Sequence, residues 1–221
     1  MSTRIAIIGG HGKIARLVTE RKGDVSITSV VRNPDHVDEL SAMGAHPVVL
    51  NVETAAVSEL AEVVKGHDAV VFLAGAGGGS GVFRKYTSDL KAAITSQQAA
   101  KEAGVSRFVQ VSFVGAEHPT AEGTDPVFAA YWDAKRIADD SLRASDLDFT
   151  IVKPGRLTDE PETGKLSVSQ GEVRKGSTTA RADVANFILH ILNDERTHGK
   201  DLDILDGDTP LAESLDAYLA Q

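Results

Sequence analysis

Three features of the sequence predict an α/β fold, a doubly wound and mostly parallel sheet with helices on both faces. Short Val/Ile/Leu-rich runs alternate with longer amphipathic stretches along the 221 residues, the pattern of repeated strand–helix crossovers. The runs are nearly unbroken in apolar residues, as strands are when both sheet faces are covered. The first run ends in a glycine cluster that opens a helical stretch. In such sheets ligands bind outside the carboxyl ends of the strands.

Taken in order, Ile5–Ile8 is a strand ending at Gly9-Gly10, and Lys13–Arg21 is a helix. Val25–Val31 is a β-branched second strand. Asn33-Pro34 has the form of a helix N-cap with proline in the first turn, and Gly44 that of a C-cap. Val48–Leu50 is the third strand. Thr54–Val64 is helical, with Val57, Leu60, Ala61 and Val64 on one face. Ala69–Leu73 is the fourth strand and leads into Gly75-Ala76-Gly77-Gly78-Gly79. Leu90–Ala103 is a helix closed by Gly104, and Phe108–Phe113 is the fifth strand. From Ser112 to Tyr131, Gly115, Pro119, Gly123 and Pro126 mark a flexible loop. Val127–Arg143 is a helix after Asp125-Pro126, and Phe149–Val152 is a sixth strand ending at Pro154-Gly155. The stretch Thr158 to Ser177 can hold a small β element. Arg181–Leu192 is helical, Leu202–Leu205 a last strand and Leu211–Leu219 a terminal helix. No repeat, linker or charge block divides the chain, so it reads as one domain over 1–221.

Composition narrows the function. A net charge of -9 and a pI near 5.2 argue against nucleic acid or an anionic membrane as partner. The chain has no cysteine, which removes disulfides, thiolate catalysis and thiolate metal sites. No His/Asp/Glu cluster has metal-ligand spacing. No apolar run reaches the ~20 residues of a membrane span. Met1 leads straight into a strand signal, so a cytoplasmic protein is expected.

Gly10-His11-Gly12-Lys13-Ile14-Ala15 fits G-x-G-x-x-G/A, and Gly9, Gly12 and Ala15 fit a G-x-x-G-x-x-G spacing. Glycines permit a sharp turn and let phosphate oxygens approach the backbone, while a small residue lets the helix pack on the strand. The helix N-terminus then offers free N–H donors and partial positive charge. Glycine pairs also occur in ordinary turns; the position between first strand and first helix is what points to a dinucleotide pyrophosphate. His11 reads as a loop residue flanking phosphate. An NAD site would place Asp or Glu about 20 residues on, at the end of strand two. The sequence there is Val31-Arg32-Asn33, and Arg32 suits a 2′-phosphate. NADP(H) is therefore expected over NAD(H), unless Arg32 merely solvates a strand end. Asn51-Val52 would border the adenine, and Ala74-Gly75-Ala76 would pass beneath the middle of the cofactor. Gly77 to Gly81 is either a lid or a plain loop.

Tyr131 and Lys135 stand at i and i+4 on one helix face. A phenol of pKa ~10 is a poor proton carrier at neutral pH, and a neighbouring ammonium lowers it and can hydrogen-bond ribose hydroxyls. Ser112, ending strand five, can orient a substrate carbonyl or hydroxyl beside the phenol; Phe113 has no polar group for that task. A surface Tyr/Lys pair is the alternative reading.

With these residues the chain resembles the short-chain dehydrogenase/reductase superfamily. Within it the chain is similar to the atypical branch of compact NAD(P)H-binding proteins, NmrA-like, flavin-reductase-like and related to NAD-dependent epimerases/dehydratases. The resemblance spans nearly the whole chain: Ile7 to Ala15, Val31 to Pro34, Ala103 to Val109, Tyr131 with Lys135, Val152 to Leu157, and Arg181 to Ala185. It implies a Rossmann-type fold, and it places Pro154, Gly155 and Leu157 against the nicotinamide. It gives Asp183 a structural role, capping or pinning its helix. Lys153 stands where related sequences often have Arg. Substrate contacts are expected from about 113–126, 157–178 and 206–221, segments short enough to suit a small carbonyl, quinone or flavin-like acceptor. Three functions fit: an NADP(H)-dependent oxidoreductase using Tyr131, Lys135 and Ser112; a dinucleotide-binding redox-sensing regulator; and a flavin reductase without a catalytic tyrosine. Monomer and homodimer are equally compatible.

Overall fold

A computed structural model, which describes residues 2–171 and 177–221, has one eight-stranded sheet. From edge to edge it runs β3 (His46–Val49), β2 (Ser26–Val31), β1 (Arg4–Ile8), β4 (Ala69–Phe72), β5 (Arg107–Val111), β6 (Asp148–Pro154), β10 (Lys200–Pro210) and β8 (Lys165–Ser169). All neighbours pair in parallel except β10 with β8. Two short strands, β7 (Arg156–Thr158) and β9 (Thr178–Ala180), form a separate parallel pair. The order 3-2-1-4-5-6 is that of the Rossmann sheet, and the winding reverses between β1 and β4.

Helices α1 (Lys13–Glu20), α2 (Val37–Ala42), α3 (Val57–Val64), α4 (Val82–Arg84), α5 (Ala92–Ala103), α6 (Pro126–Arg143), α7 (Arg181–Ile191) and α8 (Leu211–Leu219) complete the fold. Strand side chains point alternately to the two faces. Ile5 and Ile7 of β1 pack with Val18, Phe187 and Ile188 in one core, and Ala6 and Ile8 pack with Leu60, Val64 and Phe72 in the other. With both faces buried, the strand has no polar side and reads as an unbroken apolar run.

Several boundaries differ from the sequence reading. The helix expected at Leu90 begins at Val82 and passes through a π-helical stretch, Lys85–Lys91, before α5. The wider π turn breaks the 3.6-residue periodicity that would have revealed it. The helix expected from Thr54 begins at Val57, because the amides of Thr54 and Ala55 bond back to Asn51 O and Glu59 caps the Ala56 amide at 2.7 Å. The last strand extends to Pro210. The small β element expected within Thr158 to Ser177 is present as β8, beginning at Lys165. Positions 172–176 of the 157–178 segment lie outside the described residues. Asn33 caps the turn at Pro34 by accepting from the Asp35 amide. Asp183 holds the amides of Thr163 and Gly164 against the start of α7.

Arg107, at the start of β5, is buried and donates five hydrogen bonds. Its acceptors are the carbonyls of Asp148, Ile191 and Leu192 and the hydroxyls of Thr150 and Thr197. It thereby ties the end of α7 to β5 and β6. Replacing Arg107 by Met removes one donor from each of those acceptors, so it should destabilise the fold by about 3 kcal/mol or more. Urea unfolding checks this, and a loss below about 1 kcal/mol would mean that water replaces the guanidinium.

Candidate active site

At the carboxyl end of β1 the chain is held between its two neighbours. Gly9 has φ +85°, and a Cβ there would lie 2.7 Å from the Ala74 backbone just beyond β4; one on Gly10 would lie 2.5 Å from Ser29 Cβ on β2. Both amides bond to Val30 O, at 3.1 and 3.0 Å. Gly12 is the N-cap of α1, which has neither a side-chain cap nor an acidic residue in its first turn. The amides of Lys13, Ile14 and Ala15 thus open the helix with no carboxylate competing for them, and Ala15 is buried against the sheet. These residues fit a dinucleotide pyrophosphate: the close approach and the donors are both present.

A cavity of about 230 Å³ extends from this turn over β2 and β3, lined by Gly9, His11, Gly12, Arg32, Asn51 and Val52 among others. Glu53 lies in it. Its Oε1 accepts from Arg32 at 3.0 Å and from Arg84 at 2.6 Å, and its Oε2 accepts from Thr87 at 2.6 Å. Burial opposes the charge, but the bonds from Thr87 and Arg84 outweigh it and hold the carboxyl below its ordinary range. His11 stacks on His36 at 3.5 Å and bonds to Glu39. Lys13 pairs with Asp159 at 2.6 Å, so its amide rather than its ammonium faces the turn.

A second cavity, about 540 Å³, brings Ile14, Ala74 and Gly75 together with Ser112, Tyr131 and Lys135. The sequence pair therefore stands beside the glycine turn rather than on the free surface. Its electrostatics differ from expectation. Lys135 donates to Val111 O at 2.7 Å. The Tyr131 pKa moves up, not down: burial raises it first, and the charges of Asp89 and Asp139 add to this. Ser112 donates to Asp139 at 2.5 Å, leaving its lone pairs but no proton for a ligand while Asp139 is ionised. Asp139 also accepts from Gln110 at 2.6 Å. Burial pushes the Asp139 carboxyl up to about 6, although Ser112 and Lys135 pull the other way. Asp89 accepts from the Ala76 amide at 3.0 Å, and Lys85 donates to Gly77 O at 2.9 Å. The π-helical stretch thus holds the start of the glycine-rich loop.

A third cavity, about 640 Å³, shares Ser112, Phe128, Tyr131 and Leu157 with the second and adds Phe113, Trp132, Pro154 and Gly155. The loop following β5 is tied down on this side. Val114 N bonds to Pro154 O, Trp132 Nε1 donates to His118 O at 2.6 Å, and Glu117 lies 2.8 Å from the buried Lys153 ammonium. Lys153 also faces Asp203 at 3.2 Å.

The structure thus gathers Gly9, Gly12, Ile14, Arg32, Asn51, Val52, Ala74, Gly75, Ser112, Tyr131, Lys135 and Leu157 along one cleft. Pro154 and Gly155 line the third cavity rather than the second. Asn33, Gly10, Lys13 and Ala76 line none of the three, because their polar groups or packing are taken up as described. Glu53, Arg84, Lys85, Asp89 and Asp139 escaped the sequence reading. The first four sit in or contact a helical stretch whose period is irregular. Asp139 had a signal: it continues the i, i+4 spacing of Tyr131 and Lys135.

A family described as NAD(P)H-binding matches residues 9–195. The chain is 36% identical over 215 residues to a Bacillus subtilis protein named as the uncharacterized sugar epimerase YhfK, covering 96% of this chain and 98% of that one. Among solved structures, a putative NAD-dependent epimerase/dehydratase from Bacillus halodurans superposes with a TM-score of 0.89 at 35% identity, over 98% of this chain and all of its own. The oxidoreductase ylbE from Lactococcus lactis gives 0.86 at 27% identity, over 99% and 98%. Among the described residues no cluster of His, Asp or Glu has metal-binding geometry, and no helix is long and apolar enough to cross a membrane.

Because Asp139 keeps its proton to about 6 in the folded chain against an ordinary 3.8, the folded state binds more protons between those values. The stability this group contributes is present below 3.8 and lost as pH rises through 6. Wild type should therefore lose up to about 3 kcal/mol relative to Asp139→Asn between about pH 4 and about pH 7. Paired urea unfolding curves test it; a constant difference would mean that Asp139 titrates as it does in water.

Proposed function

On the premise that the chain belongs to the NAD(P)H-binding family, which its match over residues 9–195 establishes, we propose an NADP(H)-dependent reductase of a small carbonyl, quinone or flavin-like acceptor. The observation that carries this reading is that Tyr131, Lys135 and Ser112 share one cavity with Ile14, Ala74 and Gly75 of the glycine-turn region. When bound, the dinucleotide supplies the hydride. Tyr131 supplies the proton: half-buried, its ring packed on Phe113 and Phe128 and two carboxylates near it, its phenol stays neutral, the form that can donate to the oxygen of a carbonyl as that oxygen gains charge. The Lys135 ammonium stands one turn along the same helix, available to ribose hydroxyls. Ser112 accepts, so it positions a hydroxyl better than a carbonyl.

Arg32 supports NADP(H). No carboxylate ends β2, and Arg32 and Arg84 converge on Glu53 at the adenosine end. A 2′-phosphate there would compete with Glu53 for two guanidinium groups. A dinucleotide-sensing regulator has no need of a half-buried Tyr131 beside a buried Lys135. A sugar substrate, as the name of the Bacillus subtilis relative suggests, would find few polar partners in the mainly apolar third cavity.

Tyr131→Phe should lower turnover by about a hundredfold or more with NADPH affinity kept; unchanged turnover would favour direct hydride transfer to flavin. Arg32→Ala should weaken NADPH by about tenfold or more and leave NADH little changed, while Glu53→Gln should tighten NADPH. Titration calorimetry with both nucleotides measures this, and wild-type NADH affinity equal to or better than that for NADPH would overturn the assignment of Arg32.

A further inference from the structure

The third cavity carries information about the acceptor. Phe113 and Phe128 lie at 24° and 26° to the Tyr131 ring, with centroids 5.3 and 6.1 Å from it. Trp132 meets Phe113 and Phe128 edge-on, at 4.9 and 5.7 Å. Phe113 and Phe128 each stack on the Tyr131 ring and are braced edge-on by Trp132, an aromatic cluster lining the cavity that favours offset stacking of a planar guest. At about 640 Å³ the space lies within the range of small-molecule sites.

Its charge is one-sided. Among its described lining residues the charged ones are Arg156 and Arg181, with no Asp or Glu, in a chain of net charge -9. The β7–β9 pair carries both: Arg156 opens β7 in register with Thr178, and Arg181 follows Ala180 three positions further along, so the two line the one cavity from different ends of the pair. Arg181 bonds to Asp159 at 2.7 Å, and Lys13 binds the other oxygen of that carboxylate. Two cations share the one carboxylate of Asp159, so Arg181 keeps positive charge at the cavity edge, and Arg156 adds its own.

We propose that the acceptor is a planar aromatic carbonyl or quinone bearing a carboxylate, its rings against Phe113, Phe128 and Trp132 and its carboxylate on Arg156 and Arg181. This rests on the reductase reading. In a quinone the hydride brings two electrons and one hydrogen and the Tyr131 proton brings the other, so the two carbonyls become hydroquinone hydroxyls, the dinucleotide leaves oxidised and solvent reprotonates Tyr131.

Trp132 is the sole tryptophan of the chain, so its fluorescence reports occupancy without turnover. A naphthoquinone carboxylate should quench it with affinity about tenfold tighter than its methyl ester. Arg156→Gln, at an exposed position, should remove that preference and leave ester binding unchanged, as should Arg181→Gln. An ester that binds as tightly as the acid, or a preference that survives both substitutions, overturns the proposal. NADPH oxidation is followed separately: preferential quenching without oxidation would remove the reductase reading and keep the ligand class, whereas oxidation of acid and ester alike without preference would do the reverse.

Discussion

The contact on which the molecule depends is the one between the turn after β1 and its two flanking strands. There is no room for a single carbon atom between Gly9 and Ala74, or between Gly10 and Ser29. Parallel strands wound in opposite directions from β1 and β4 leave a crevice at their carboxyl ends, and these glycines bring α1 right up to it. A side chain at either position would push α1 off the sheet and separate the amides of Lys13 to Ala15 from the cleft. The same approach sets Ala74 and Gly75 as the floor of the cleft, so the phosphate end and the reacting end share one rigid edge.

From that edge α6 is the second fixed element. Tyr131, Lys135 and Asp139 lie along one face. Each is held differently: Tyr131 by aromatic neighbours, Lys135 by the Val111 carbonyl, and Asp139 by Ser112 and Gln110. Lys135 and Asp139 both reach back to the end of β5, so α6 cannot slide along its axis without breaking buried bonds to charged groups, which are the costly ones to lose. Glu117 on Lys153 does for the loop what Asp139 does for the helix. A loop that reads as flexible from its glycines and prolines acquires a path because its Glu117 joins Asp203 in balancing a buried ammonium on β6.

The legible parts were those governed by local rules. Strand and helix alternation, the glycine spacing, the Asn33-Pro34 cap and the Tyr131/Lys135 pair all depend on residues a few positions apart. Missed features depend on long-range partners. Lys85 and Asp89 hold the glycine-rich loop only because a π turn rotates them toward it. Glu53 joins Arg32 to Arg84 across 31 residues of chain between its own position and Arg84. The direction of the Tyr131 shift could not be read from spacing, since spacing identified the ammonium but not Asp89, which reaches the phenol from another helix. Asp139 was within reach, as the next residue on a face already identified.

Charge is distributed along the cleft in three zones. Arg32 and Arg84 stand with Glu53 at the adenosine end, Lys85, Asp89, Asp125 and Lys135 in the middle, with Asp139 bonded to Ser112, and Arg156 and Arg181 at the far end. In a chain with an excess of acidic residues, arginines at two ends of one groove suit the anionic groups proposed for the cofactor and the acceptor. The carboxylates between them have the opposite task. Near the phenol, they add to its burial in making its ionised form costly, which suits the proton-donating role proposed for Tyr131. An ammonium acting alone would have produced a phenolate, suited to removing a proton from an alcohol. Lys135 is turned toward Val111 O and flanked by Asp139, so its charge is balanced before it reaches the phenol. Burial first, and the two carboxylates after it, therefore favour the protonated phenol, the form that the proposed reduction uses.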